Sequence, residues 1–237
     1  MFPILADWLR RPWIPRVLLA MCIVALLFGV AVAAYAAHLR RSARALIASA
    51  KQIHSTADAE HEIAMWRERS GRGYSESRSP DGTGHAYQFQ MGNGLLSRFH
   101  LTPSTGALLQ VTTFSGQLSQ VLLGVYTEKS SVWVQEDFSG NGPEYFYVNS
   151  QGDGSGKHLK TILMFRSNLA AAQRENAFAL DASCLVKPGG CHSAEEILPT
   201  LPQLQKAAQA PATTTPAHLL SLMTSPLASN LPPLPFT

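Results

Sequence analysis

The residues whose spacing most directly suggests chemistry are two cysteines on either side of a short turn. Cys184 and Cys191 enclose the sequence Leu-Val-Lys-Pro-Gly-Gly. A thioredoxin-type redox pair has two intervening residues, and a structural zinc site takes four ligands, whereas only His192 stands beside this pair as a further ligand. Because the Pro-Gly-Gly turn can bring the ends of the loop within bonding reach, the spacing favours a structural disulfide. Two free thiols, or a metal or redox role, are the alternatives.

Dispersed histidines and carboxylates are the other residues that could do chemistry. A site assembled from separated positions, for example His100, Glu136 and His158, would make the chain an enzyme. The local motifs argue against this, since the glycine-rich stretch at 152–158 has Gln151 where a phosphate-binding loop needs its first glycine. We therefore predict no catalytic, cofactor-binding or metal-ligating residues and keep the enzyme as an alternative hypothesis.

An apolar stretch near the start of the chain is long enough to cross a membrane and would place the rest of the chain on one side of it. Residues 17–37 carry no charge. A helix of that length covers about 31 Å and matches a hydrocarbon core of about 30 Å, so we predict a transmembrane helix that contacts the lipid bilayer. The alternative is a cleaved signal peptide, because Ala34-Tyr35-Ala36 fits the cleavage pattern, although the apolar stretch is longer than usual.

Arginines on both sides of the predicted span leave its orientation nearly undecided. A stable disulfide requires an oxidising compartment, so the cysteine pair decides the prediction. We expect a bacterial inner-membrane protein with a cytoplasmic N-terminal segment at 1–16 and a periplasmic domain at 38–192.

The domain combines helical and strand patterns. Apolar residues at helical spacing continue the first helix from 38 to 54, and a second helix begins at Ser55 or Thr56 and stops at Gly71. Period-two alternation then predicts a hairpin around Gly-Asn-Gly at 92–94, with its second arm at 95–100. Further strand-like runs lie at 107–115, 119–128, 131–138, 144–150 and 160–165. The fold class is α+β, with a twisted antiparallel sheet of five to seven strands and a last helix that Asn168 caps and that leads into Cys184.

The C-terminal region, 193–237, differs in composition from the domain. From Ile197 onward, 41 residues hold 8 of the 15 prolines and a single charge, Lys206. Such a density of proline opposes helix and sheet, so we predict a Pro-rich disordered tail. The Leu-Pro-Pro-Leu-Pro sequence at 231–235 could alternatively serve as a docking peptide.

The charge balance limits the partners. The formal net charge is only +3, and no basic stripe interleaved with aromatic residues is present in the sequence, so no nucleic-acid partner is predicted. The remaining prediction is a non-catalytic interaction, assembly or sensing module with a protein partner in the cell envelope.

Two resemblances bear on this prediction. The sequence at 178–201, with 148–165 before it, resembles a group of uncharacterised single-span bacterial membrane proteins with a C-terminal Cys-loop-Gly-Gly-Cys element. This resemblance implies an anchored domain and no known activity. The order of apolar helix, polar helix, sheet and disulfide loop is similar to that of type IV pilins and pseudopilins, but Pro15-Arg16-Val17-Leu18 stands where their cleavage motif would be, and no glutamate follows.

Overall fold

The computed structural model describes residues 13–70, 73–139, 142–152, 159–166 and 171–209. The first element is helix α1, Trp13–Gln52. It continues without interruption from the predicted span at 17–37 into the helical continuation predicted from residue 38. The most apolar 18 residues of α1 are long and apolar enough to cross a membrane, and none of them is buried. The second half is different, because an apolar stripe packs into the domain. The buried apolar side chains of that stripe are Leu39, Ala43, Leu46, Ile47 and Ala50.

Helix α2, Thr56–Ser70, begins where the sequence predicts. The Asp58 backbone N–H donates to the Ser55 hydroxyl at 3.3 Å, which caps the helix, and the Asp58 carboxylate accepts from the Ser55 hydroxyl at 2.8 Å and from the His54 backbone N–H at 3.2 Å. The indole Nε1 of Trp66 donates to the Ser49 hydroxyl at 2.9 Å. This buried hydrogen bond fixes α2 against the second half of α1.

Seven strands form one antiparallel sheet in which sequence neighbours are also spatial neighbours. This confirms the predicted class and the upper end of the predicted strand count. The strands are β1 (Tyr74–Arg78), β2 (Gly84–Gly92), β3 (Thr105–Phe114), β4 (Gln117–Thr127), β5 (Ser130–Ser139), β6 (Gly142–Gly152) and β7 (Leu159–Arg166). Because side chains alternate across a sheet, one face supplies the core and the other stays open. The buried side chains of the two central strands on the core face include Ala107, Leu109, Val111, Val121, Leu123 and Val125.

Helix α1 runs along the core face from one end of the sheet to the other. At one end the Tyr35 hydroxyl of α1 donates to the carbonyl of Gly92 at 3.4 Å. At the other end, just after α1, the Thr56 hydroxyl at the start of α2 accepts from the backbone N–H of Leu118 at 3.1 Å. We call the end of the sheet at Gly92 and Thr105 the anchor end, because the exposed apolar half of α1 leaves the domain there. The opposite end, at Phe114 and Gln117, is the far end.

The hairpin predicted around residues 92–94 is wrong. Strand β2 pairs with Thr105–Phe114, and residues Gly94–Arg98 form a short helix, α3. His100, with φ of 55°, closes the turn after it. Leu95 and Phe99 lie four residues apart on one side of this helical turn, while Leu96 points into the core and is 2% exposed. The alternation of residues 95–100 is therefore better explained by one helical turn than by a strand.

The C-terminal elements complete the core. They are α4 (Ala171–Ala177), a 3₁₀ helix (Ala182–Leu185), α5 (Ala194–Ile197) and α6 (Leu201–Gln209). The helix predicted before Cys184 is present but ends at Ala177, and its predicted cap, Asn168, lies outside the described residues.

The tail predicted from residue 193 is wrong as far as residue 209. Four apolar side chains in this stretch are at most 1% exposed: Ile197, Leu198, Leu201 and Leu204. The prolines do not prevent this, because Pro199 precedes α6 and Pro202 lies in its first turn, where a backbone N–H has no partner inside the helix. The remaining tail, 210–237, with its Leu-Pro-Pro-Leu-Pro sequence, lies outside the described residues.

Candidate functional site

The structure joins Cys184 and Cys191 in a disulfide, with Cα atoms 5.3 Å apart. Both residues are buried, and Gly189 and Gly190 adopt φ angles of 82° and 70° in the turn between them. A side chain at either position would be strained in this backbone conformation. The loop therefore has the geometry of a structural staple.

The disulfide loop is attached to the anchor end of the sheet. The carbonyl of Cys191 accepts hydrogen bonds from the hydroxyls of Thr127 at 3.2 Å and Ser130 at 3.3 Å, in the turn between β4 and β5. The carbonyl of Leu185 accepts from the Thr105 hydroxyl at 3.3 Å. The staple thus closes the same end of the domain at which the apolar half of α1 emerges.

Asn93 connects this staple to helix α3. Its side chain is fully buried, and Nδ2 donates to the Thr102 hydroxyl at 2.7 Å, to the Pro103 carbonyl at 2.7 Å and to the Leu185 carbonyl at 3.1 Å. Its Oδ1 accepts from the backbone N–H of Thr105 at 2.9 Å. A buried amide in such a network holds the ends of the 94–104 segment in one place. No sequence pattern marks Asn93, because its role depends on a loop that folds back on it and on Leu185, which is 92 residues away.

The residues proposed for an assembled catalytic site are not brought together. Glu136 is 2% exposed on the core face of β5, where Arg174 forms an ion pair with it at 2.5 Å. His100 is exposed in the turn after α3, at the anchor end, whereas Glu136 lies toward the far end. His158 lies outside the described residues. The carboxylate of Glu136 serves to bind an arginine and does not face a cleft with His100.

A shallow groove of about 590 Å³ with a mixed polar and apolar lining lies at the far end, between α2 and the turns of the sheet. Its lining includes Glu60, Arg67, His85, Tyr87 and Ser115. His85 stacks on Tyr87, with ring centroids 6.2 Å apart, and its Nδ1 is buried without a hydrogen bond. This nitrogen lies 3.6 Å from a carboxylate oxygen of Glu76.

A hydrogen-bonded cluster lies beside this groove and shares Arg67 and His85 with its lining. Arg67 donates to the Tyr74 hydroxyl at 2.9 Å, and Tyr74 donates to Glu76 at 3.1 Å. The Tyr74 hydrogen bond, together with Arg78 and Arg67, lowers the pKa of Glu76, whereas burial raises the pKa of Tyr74. Arg67 and His85 can bind a polar ligand in the groove, and Tyr74 and Glu76 hold them in position. Their convergence depends on the sheet register, which sequence periodicity does not supply.

The open face of the sheet is rich in aromatic and amide side chains. Tyr126 stacks on Trp133 with centroids 6.0 Å apart, and Tyr126 also accepts a hydrogen bond from Gln90 at 2.7 Å. Toward the other edge of the sheet, Ile162 and Met164 of β7 are exposed. The composition is typical of protein interfaces, which are enriched in Tyr, Trp and Met. We define the open face by these residues together with Gln88, Gln110, Tyr145 and Tyr147.

Metal ligation receives no support from the described part of the chain. Within it, no three His, Cys, Asp or Glu side chains cluster closely enough to hold a metal ion. The carboxylate of Asp137 accepts hydrogen bonds from the amides of Gln120 and Gln135, so its polar partners are within the sheet. Cys22 is a free cysteine on the exposed half of α1.

No protein-family model, curated protein or solved structure matches this chain.

Proposed function

We propose that this chain is a single-pass protein of the bacterial inner membrane, with its N-terminus in the cytoplasm and its α+β domain in the periplasm. The domain acts as a non-catalytic interaction or assembly module and binds a protein partner of the envelope with the open face of its sheet.

One observation carries the proposal, namely the division of α1 into an exposed apolar half and a buried half. Leaving the exposed half in water costs about 25 cal/mol of free energy for each Å² of apolar surface, and insertion into a bilayer removes that cost. Because the same helix continues into the core, the domain is joined to the anchor without a flexible linker. Such a connection suits a module that must present a surface at a fixed place near the membrane.

The disulfide supports the periplasmic side. Disulfides persist in the periplasm and are rare in the cytosol of bacteria, where thiols are kept reduced. Cys184 and Cys191 are both buried, and the carbonyl groups of their loop are bound to the sheet. A protein folded in the cytosol would have to hold these two thiols reduced and side by side in its core.

The open face supports binding. Trp133 and Tyr126 form a rigid aromatic pair, and such residues contribute a large share of the binding energy at protein interfaces. Charged side chains are few on this face of the described strands, and Asp137 is already hydrogen-bonded by two amides. A partner that covers this face would therefore bury few charged groups and could pair its own polar groups with the amides and hydroxyls.

The membrane side is tested with the native cysteines. In cells, Cys184 and Cys191 should resist a membrane-permeant maleimide until the denatured protein is reduced. A fusion of alkaline phosphatase after Gln209 should be active, and the same fusion without residues 17–37 should be inactive. Free reaction of both thiols without reduction would contradict the periplasmic placement.

Binding through the open face is tested by site-specific photo-crosslinking in cells. A photoreactive amino acid at Ile162, on the open face, should give discrete protein adducts. The matched control is Glu68, which is exposed on α2. Equal adduct patterns at both positions, or none at Ile162, would contradict a specific partner on this face.

One feature favours the enzyme alternative, and it lies in the far-end groove. The buried, unbonded Nδ1 of His85 beside Glu76 could take part in proton transfer. Replacing His85 with Asn should leave the Ile162 adducts unchanged under the binding proposal. If His85→Asn abolished the biological activity while those adducts persisted, the enzyme alternative would be favoured.

A further inference from the structure

Three apolar side chains around α3 face solvent at the anchor end. Leu95, Phe99 and Leu101 are 48%, 51% and 39% exposed. They fall within seven consecutive residues of one ordered turn, and we call them the apolar patch. Patches of this kind on a soluble surface usually mark a contact with a protein or a membrane.

The exposure does not come from a loose loop. Asn93 fixes one end of the segment through its buried amide, and Thr102 and Pro103 at the other end are among the acceptors of that amide. Inside the segment, Leu96 is buried and its carbonyl accepts from the Leu101 backbone N–H at 3.0 Å. The framework therefore holds the three side chains outward.

The patch lies against the apolar half of α1. The ring of Phe99 packs edge-on against the ring of Phe28, with centroids 5.4 Å apart and planes at 81°. The Tyr35 hydroxyl meets Gly92, which precedes the segment. Phe28 and Tyr35 are seven residues apart, so the segment follows α1 for about two helical turns, or about 10 Å, toward the centre of the span.

We propose that Leu95, Phe99 and Leu101 insert into the acyl chains of the bilayer beside α1 and form a second membrane contact of the domain. This inference rests on the proposed spanning role of α1. The continuity with Phe28 identifies lipid as the occupant, because the described residues contain one helix that could span a membrane, and a side chain packed beside its middle is otherwise surrounded by acyl chains. The exposed side chains of Arg40 and Arg41, which follow the span on α1, can extend to the head groups, as long cationic side chains do near a membrane surface.

A second contact changes what the anchor can do. A single helix leaves the domain free to tilt and rotate over the membrane, whereas two contact points fix its orientation. Since Asn93 also bonds to Leu185, the inserted segment is coupled to the disulfide loop. The open face of the sheet would then be held at a constant angle to the bilayer.

Spin-label accessibility on the full chain tests the proposal. The protein is placed in vesicles of phosphatidylcholine and phosphatidylglycerol, and one label is attached at a time. A label on native Cys22 reports on α1. The other two labels are placed in a Cys22→Ser background. Phe99→Cys reports on the patch, and Gln117→Cys, which is exposed at the far end, is the aqueous control. The oxidised Cys184–Cys191 pair does not take label, and its retention verifies folding.

The label at 99 should be accessible to oxygen and protected from a water-soluble nickel complex, as the label at 22 is, while the label at 117 shows the reverse. If 22 is protected but 99 behaves like 117, α1 spans the membrane and the second contact is refuted. Protection of 99 from both reagents would show a protein contact in place of lipid and would also overturn the proposal. Exposure of 22 to the nickel complex would refute the spanning role itself, and the second contact with it.

Discussion

The guanidinium of Arg174 binds the buried carboxylate of Glu136 and, at the same time, the end of helix α1. It donates from Nε and Nη2 to Glu136 at 2.9 and 2.5 Å, from Nη1 to the Lys51 carbonyl at 2.8 Å and from Nη2 to the Ile53 carbonyl at 3.2 Å. Its guanidinium carbon also lies 5.0 Å from the centroid of the Phe178 ring. One side chain of α4 therefore connects the sheet to the C-terminal end of α1, where a positive charge is favourable.

Replacing Arg174 with Met should destabilise the domain by about 3–5 kcal/mol, because Glu136 would be left as a buried carboxylate without a partner. Urea unfolding of the full chain in detergent, followed by near-ultraviolet circular dichroism, measures the loss. Arg69→Met, on the exposed side of α2, is the control and should change stability by less than about 0.5 kcal/mol.

The double variant Arg174→Met with Glu136→Met should recover part of this loss, since it removes the unpaired charge. A single variant Arg174→Met that unfolds like the control would show that Glu136 does not need its cation.

Reduction of the disulfide should lower stability by about 2.5 kcal/mol, because opening an eight-residue loop restores conformational entropy to the unfolded chain. The variant with both Cys184 and Cys191 replaced by Ala should lose a similar amount. Adding reductant to that variant is the control and should cause no further change. If reductant leaves the wild-type unfolding curve unmoved, the staple makes no contribution to stability.

Gly124 should not tolerate a side chain. A Cβ atom there would overlap the ring of Trp133, its cross-strand partner on β5. Gly124→Ala must displace the indole from its stack on Tyr126, and we expect a loss of about 1–3 kcal/mol together with a shift in tryptophan emission. Gly94→Ala is the matched control, since nothing lies within 4 Å of its Cβ position and alanine favours the start of α3. Equal stability of the two variants would contradict the close packing on the open face.

The elements that sequence alone predicts are those whose signal is local and periodic. Helix α1 and the alternating strands repeat their pattern over many residues, and the loop at 184–191 contains its own turn. The strand predicted at 95–100 is wrong, because an alternation of only six residues fits a helical turn as well as a strand. The conformation of this segment depends on Asn93, whose amide reaches Leu185 in a distant part of the chain.

Two further features depend on contacts that a pattern does not encode. The stretch 194–209 is ordered because Ile197, Leu201 and Leu204 complete a core built by earlier elements, which outweighs its proline content. The far-end groove needs α2 and two strands in register before Arg67, Glu76 and His85 come together. Residue types alone gave no reason to associate these three positions.

The cluster at Glu76 should make the stability of the domain depend on pH in the acid range. The hydrogen bond from Tyr74, with the nearby Arg78 and Arg67, lowers the pKa of Glu76 from its ordinary 4.5 in the folded state. A group with a lowered folded pKa stabilises the protein fully above its unfolded pKa, and this contribution is lost as the pH falls through the folded value.

Wild type should therefore be more stable than Glu76→Gln above pH 4.5, and the difference should shrink as the pH falls below that value. Urea unfolding at a series of pH values from neutral to about 3 measures the difference, and hydrogen exchange of the Tyr74–Arg78 strand locates it. Glu68→Gln, an exposed position on α2, matches the change of charge and controls for it. If the stability difference between wild type and Glu76→Gln stayed constant down to about pH 3, the ionised Glu76 carboxylate would not be the source of the stabilisation. Protonating it would then have changed nothing.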